Sequence, residues 1–279
     1  MVFVTLIALT LVAFAANSLL CRMALGGDLI DPGSFMAIRL VSGAVALIPI
    51  SRWLGEKKTQ RPTKGSWVSG FLLFAYAAAF SWAYVSLNTG TGALVLFGSV
   101  QLTMIAAALL SGESLESAQW IGLAAAIGGL VYLVLPGISA PDPLGALLMC
   151  VSGIAWGFYS IRGKGTLAPI AMTAGNFLRS TPMAIVTFAL AFSGTHWKPQ
   201  GILLALISGV LTSGMGYVLW YKVLPSLTMT QAALLQLLVP VLAAFAGVAF
   251  LSEQLSARLI TASVMILGGV AWAVIRRKA

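Results

Sequence analysis

The sequence predicts an all-α integral membrane protein whose ten transmembrane helices form two inverted five-helix repeats. Three observations predict it. Of the 279 residues, 59% are hydrophobic and only 8% are charged, whereas a soluble domain carries about 25% charged residues. Apolar runs of about 20 residues, enough to cross a bilayer as a helix, recur along the whole chain. A signature also occurs twice: SGESLESAQWIGLAAAIGG at 111–129 and LSEQLSARLITASVMILGG at 251–269.

The spans follow from apolar runs and the breakers between them. Span one, about 3–24, lies in MVFVTLIALTLVAFAANSLLCRMALGG. No basic residue precedes it, and its apolar stretch exceeds a signal-peptide core, so it is expected to be retained. GGDLIDPG separates it from span two (33–53), and GEKKTQRPTKGS separates that from span three (66–87). NTGTG leads into span four (91–111), SGES into span five (118–136) and PGISAPDP into span six (143–161). RGKGTLAP precedes span seven (171–193), SGTHWKPQG span eight (201–223), LPSLT span nine (228–251) and LSEQLS span ten (256–275). Most connections are short, so consecutive helices are antiparallel neighbours. No room remains for a soluble catalytic domain.

Glu113, Leu115 and Gly128-Gly129 align with Glu253, Leu255 and Gly268-Gly269. Trp82 aligns with Trp220, Pro32 with Pro169 and Ser18 with Ser160 at nearly the same offset. The repeats are therefore 1–138 and 139–279. Five spans is an odd number, so the second copy enters the membrane from the opposite side, an arrangement that lets one site face either side. Eleven Lys and Arg residues fall on the side of the N-terminus and three (Arg22, Lys198, Arg258) on the other. Basic loops are cytoplasmic, which predicts two cytoplasmic termini. The net charge of +9 reflects this orientation rather than a nucleic-acid partner. Cys21 and Cys150 are expected as buried free thiols.

Two five-helix copies, each with Glu-x-Leu followed about a dozen residues later by Gly-Gly, resemble the drug/metabolite transporter superfamily in its ten-span EamA-type members. The aromatic IAWGFYSI (154–161), PGSFMAIR (32–39) and LLQLLVPVLAAFAG (234–247) add to the likeness. Bacterial amino-acid exporters, including the aromatic type, look most similar. The resemblance implies ten helices around a central cavity, walled mainly by spans one, three, four and six with their repeat mates. It further implies export of an amino acid or small zwitterionic metabolite; the chain is expected to be a multi-pass bacterial inner-membrane carrier, monomeric and without cofactor, with membrane lipid as its other partner. The alternative within the superfamily is a drug or nucleotide-sugar carrier, proton coupling included.

An ionisable group inside a span is presumed functional. Only Arg39 and Arg179 qualify; each either meets a substrate carboxylate or ties down helix carbonyls. Gln101, Asn17 and Asn176 are neutral polar groups in hydrocarbon that either touch substrate or bridge helices. Trp156, Tyr159 and Tyr76 lie inside their spans, as do Trp82 and Tyr217, whereas Trp53, Trp67, Trp120, Trp197 and Trp272 sit at span ends as belt residues. Trp156 and Tyr159 share one helix face and are the expected cavity wall. Pro240 frees the carbonyl of Gln236, which either meets an ammonium group or belongs to a static kink satisfied by neighbouring side chains; Pro49 and Pro182 are expected hinges. The Gly-Gly pairs should permit close helix approach, and Glu113 and Glu253 should favour the N-termini of spans five and ten.

All seven acidic residues fall at span ends or in loops, and the sole histidine, His196, lies in a loop. Proton coupling through a membrane carboxylate is therefore not expected, and facilitated diffusion is. An intramembrane enzyme would need a nucleophile and base or paired carboxylates at depth, and a channel a continuous polar pore. Neither pattern is present in the sequence.

Overall fold

The computed structural model describes residues 2–53, 65–110, 112, 117–137, 139–166, 168–227, 232 and 235–275. They form ten helical spans: α1 (Val2–Gly26), α2 (Pro32–Trp53), α3 (Trp67–Ala83), α4 (Thr89–Leu110), α5 (Ser117–Val134), α6 (Pro143–Gly163), α7 (Pro169–Leu190), α8, α9 (Leu238–Leu251) and α10 (Ala257–Ile275). The α8 span is composite: α-helical at Pro199–Ile207, π-helical at Ser208–Met215 and α-helical again at Gly216–Val223. Five spans (α1, α2, α4, α6, α8) are each long and apolar enough to cross a membrane, and α3, α5, α9 and α10 are shorter apolar helices. The less apolar α7 carries Thr173, Asn176, Arg179 and Ser180.

Helix starts follow local chemistry. Pro32, Pro143, Pro169 and Pro199 each open a helix, where a missing N–H costs nothing. Asp31 and Asp142 accept from the amides of Ser34 and Gly145, and Ser66 from that of Ser69. The start of α4 is different. Both carboxylate oxygens of Glu253, from the other repeat, accept from the Thr89 amide at 3.0 and 2.9 Å. This corrects the expected role of Glu253. The left-handed Ser252 (φ 54°) turns the chain so that Glu253 reaches α4, while Ser256 accepts the Leu259 amide at the start of α10. Glu113 lies outside the described residues.

The packing repeats under a two-fold operation. The mates α5 and α10 lie against each other, as do α2 and α7. The contact of α3 with α6 recurs as α8 with α1, that of α4 with α6 as α9 with α1, and that of α3 with α7 as α8 with α2. At the α5–α10 seam Gly122 and Gly269 meet so closely that a Cβ on either would collide with the other's carbonyl oxygen. Of the two Gly-Gly pairs, Gly129 and Gly269 are the members in tight contact; a Cβ on Gly268 would meet open space. Pro49 and Pro182 are exposed on the bundle surface, whereas Pro240 is buried. The end-of-span tryptophans are all exposed, and Cys21 and Cys150 are free thiols.

Candidate functional site

Two turns into α2, Arg39 is fully buried. Its Nε donates to Ser213 Oγ at 2.8 Å, and its Nη2 to the hydroxyls of Tyr76 and Tyr217 at 3.0 and 2.9 Å. The guanidinium carbon stands 5.1 Å from the centre of the Tyr76 ring and 5.0 Å from that of Phe80. A guanidinium has five N–H donors. Three are thus engaged and the pair on Nη1 has no partner among the described residues. Nor does an acidic side chain there pair with it. Asp28 pairs with His196 and Glu253 with Arg22, while Asp31 and Asp142 cap helices. A buried cation without a counter-ion is costly to fold around.

Asn17 of α1 organises the other side. Its Nδ2 donates to the Tyr76 hydroxyl at 3.3 Å, and its Oδ1 accepts from Ser208 at 2.7 Å and Thr212 at 3.1 Å, with Ser213 Oγ at 3.4 Å. These three hydroxyls belong to the π-helical stretch of α8. A π-turn adds one residue to the helical repeat, a distortion frequent at functional sites. Here it turns Ser208 and Thr212 toward α1 and Ser213 toward Arg39. The stretch lies close against α2 because position 209 is glycine: a Cβ there would overlap Ser42 Oγ and the Arg39 carbonyl oxygen.

Aromatic rings complete the wall. The Trp156 ring centre lies 4.5 Å from that of Tyr217, 5.0 Å from Tyr76, 5.4 Å from Tyr159 and 5.9 Å from Phe14. The Tyr76 and Tyr217 hydroxyls are 3.2 Å apart, so one donates to the other and one hydroxyl hydrogen is left over. Phe14, Asn17, Ser18, Tyr76, Phe80, Leu96, Phe97, Trp156 and Tyr217 enclose a chamber of about 10 Å³, room for about one water.

Among the residues singled out in the sequence, the structure brings Asn17, Arg39, Tyr76 and Trp156 together. Tyr159 and Asn176 form a layer behind them: Asn176 donates to the Tyr159 hydroxyl at 3.2 Å and accepts the Ser66 amide at 3.0 Å, tying α7 to α6 and α3. Arg179 stands apart, donating to its own helix at the Gly175 carbonyl and placed 6.0 Å from the Trp67 ring centre. Gln101 is buried on α4, its Nε2 without a partner among the described residues. Gln236 is buried and borders a second cavity near the Lys164 end of α6. Phe14, Ser208, Thr212 and Ser213 were not singled out in the sequence. An apolar phenylalanine in an apolar span carries no signal, and hydroxyls in a helix normally bond back to their own backbone. The cluster Ser208, Thr212, Ser213 with Gly209 and Gly214 was the one available hint.

The end of the bundle holding the α1–α2 and α7–α8 connections is laced shut. The Asp31 amide donates to the His196 carbonyl at 3.1 Å, the Lys198 amide to Leu29 at 2.7 Å, and Ile30 bridges Trp197. Arg22 pairs with Glu253 at 3.5 Å and donates to the carbonyls of Tyr84 and Val85.

An inverted helical repeat with a buried polar site at its centre, closed at one end, defines the class of membrane carriers. The model of the EamA-like transporter family matches residues 1–135 and 143–275, and the chain belongs to that family: it is a multi-pass inner-membrane transporter, not an enzyme. It is 49% identical over 267 residues to the uncharacterized protein PA1977 of Pseudomonas aeruginosa, covering 95% of this chain and 92% of that one. It is 26% identical to the uncharacterized transporter YoaV of Bacillus subtilis over 86% of both. The uncharacterized inner membrane transporter YedA of Escherichia coli is 26% identical over 52% of this chain and 48% of its own. A solved crystal structure superposes with a TM-score of 0.67 at 21% identity, covering 96% of each chain, a likeness of fold.

Proposed function

We propose that the protein exports amino acids or related small zwitterions by alternating access, without coupling to protons. One observation carries the reading: the buried Arg39 guanidinium has two N–H groups to spare and no acidic partner among the described residues. A carboxylate is the planar, singly charged group that such a pair recognises. The rings of Trp156, Tyr76 and Tyr217 suit the rest of such a molecule, because aromatic faces accept both apolar side chains and an ammonium group. No carboxylate among the described residues lines the chamber to carry a proton across, and this supports facilitated diffusion. The runner-up substrates fit less well. A nucleotide sugar brings phosphates that call for several cations, and lipophilic cations call for an acid.

The spans enclosing the chamber are α1, α3, α4, α6 and α8, with the repeats proposed at 1–138 and 139–279. With the Lys- and Arg-rich end taken as cytoplasmic, the laced end faces outward and the protein is closed to the exterior. Counterflow of labelled amino acids in proteoliposomes, with and without a pH gradient, tests the proposal. Trans-stimulated exchange that ignores the gradient is expected. A strict requirement for the gradient removes the facilitator reading, and exchange confined to acidic-site substrates such as lipophilic cations removes the amino-acid reading.

A further inference from the structure

We infer that a phospholipid of the leaflet at the laced end lodges one acyl chain in a groove between α7 and α8, with its headgroup phosphate at Lys198. The groove measures about 600 Å³, within the roughly 300–1,000 Å³ of small-molecule pockets. Helix α2 packs against both α7 and the Pro199–Ile207 part of α8 and floors the gap between them with Ala37, Val41, Ser42 and Val45. Phe188 of α7 lies to one side, and Trp197, Ile202 and Leu206 to the other. Unlike the chamber at Arg39, the groove is open surface: Val45 is 65% exposed, Trp197 50% and Leu206 40%. No polar group of the described residues opens onto it. Ser34 at its outer end is buried, and the Ser42 hydroxyl donates to the Arg39 carbonyl of its own helix at 3.3 Å.

Length, placement and charge select the occupant. Ser34 and Val45 mark the ends of the groove along α2, a rise of about 16 Å at 1.5 Å per residue. One leaflet contributes about half of the 30 Å hydrocarbon core, so the groove is as long as a chain is deep. Its mouth lies at the laced end. There the Trp197 backbone bridges Ile30 and its ring stacks on Phe188, with ring centres 6.5 Å apart. Tryptophan favours this membrane–water boundary. Lys198 comes next. Its carbonyl accepts the Ile202 amide at 3.2 Å, so Lys198, Ile202 and Leu206 follow one another at i, i+4 and i+8 along one helix face. Lys198 is exposed and has no acidic partner among the described residues. A cation at the interfacial end of an apolar slot complements a phosphate above a hydrocarbon tail. A second copy of this chain docking by the same face about a two-fold axis would bring its own Lys198 to the same side of the membrane, like charge toward like. Lipid tails are as apolar as these helix faces, so the chain is held by close packing in the groove and by the headgroup pair.

Native mass spectrometry of the full-length protein, extracted from membranes in a mild detergent, tests the inference. In the wild type one phospholipid per chain is expected to survive activation that strips the others. Val41→Phe and Val45→Trp fill the groove and should abolish that retained lipid. Ile121→Trp, a surface change on α5 outside the groove where Ile121 is 67% exposed, should keep it. Melting temperature in detergent confirms that each variant is folded. Palmitoyl-oleoyl phosphatidylglycerol added back to detergent-washed protein should bind about fivefold more weakly to Lys198→Gln than to the wild type, the factor for one lysine near a lipid phosphate. Palmitoyl-oleoyl glycerol, which has no phosphate, should bind the two equally. Retention unchanged in both groove-filling variants, or lost equally in Ile121→Trp, overturns the site. Equal affinity of phosphatidylglycerol for wild type and Lys198→Gln overturns the headgroup placement and the inference with it. A wild-type dimer that the groove-filling variants convert to monomer also overturns it and assigns the groove to a second copy. None of these readouts involves transport, so the amino-acid reading stands or falls separately.

Discussion

At the scale of single residues, the question is whether Arg39 exists for the fold or for the cargo. A buried guanidinium with unused donors is poor material for stability, and replacing buried ionic groups by apolar ones of similar volume is often neutral or stabilising. Arg39→Met should therefore leave the melting temperature unchanged or raise it, while counterflow of amino acids is lost. Parallel loss of melting temperature and transport would make the residue structural. Arg39→Lys should not rescue transport. Three donors radiating from one ammonium nitrogen cannot serve Ser213, Tyr76 and Tyr217 and still present a planar pair. Lysine at this site is expected to lower counterflow at least about tenfold, the factor for one charged hydrogen bond, and wild-type rates would defeat the assignment. Trp156 is a different case, because its ring touches four other rings and holds no polar partner in the chamber. Trp156→Ala should reach the membrane and fold, yet raise the KM for aromatic and branched substrates; unchanged kinetics would remove it from the wall.

At the scale of elements, the halves resemble each other in packing and differ where the site is built. In α3, the mate of α8, the helix is regular throughout Trp67–Ala83, whereas α8 is π-helical at Ser208–Met215. That asymmetry places three hydroxyls against Asn17 and Arg39. Gly209→Ala puts a methyl group on the Arg39 carbonyl and Ser42. Overpacking of this kind costs about 1–3 kcal/mol, so a lower melting temperature together with lost binding is expected. Retained binding at full stability would mean that the close approach of α8 to α2 is dispensable. The ten spans were legible because apolar run length and breaker residues are local properties. The repeat was legible because Glu, Pro, Trp and Gly landmarks recur in register. Asn17, Arg39, Tyr76 and Trp156 stood out as polar or aromatic residues at depth. The π-turn did not, since an extra residue per turn is set by what the helix packs against, here Asn17 at 2.7 Å from Ser208. Glu253 illustrates the same limit. Its neighbours in sequence pointed to α10, and only the tertiary fold carries it across to the amide of Thr89.

At the scale of the whole molecule, the laced end consists of polar ties among loops and helix ends, while the two self-paired seams, α5 with α10 and α2 with α7, are packed helix on helix. Alternating access asks for ties that can break while packed elements move as units, and polar contacts near water exchange partners at little net cost. Glu253 is the tie with the widest reach: it neutralises Arg22 of α1, caps α4 and belongs to the loop before α10. Under the proposed alternating access, removing its charge costs hydrogen bonds of about 1.5–3 kcal/mol in the closed state, a cost that an open state with these ties broken would not bear. The equilibrium between the two should shift about tenfold or more toward opening at this end. In a background with Cys21 and Cys150 replaced, a cysteine placed at Ser18, which lines the chamber, reports that opening through a membrane-impermeant maleimide. Glu253→Ala should speed its labelling from the side of the Asp28–His196 pair and slow it from the side of Lys164, because in the proposed mechanism one chamber serves both faces. Faster labelling from both sides together would describe a loosened protein rather than a shifted one, and unchanged labelling would leave the closed end without its lock.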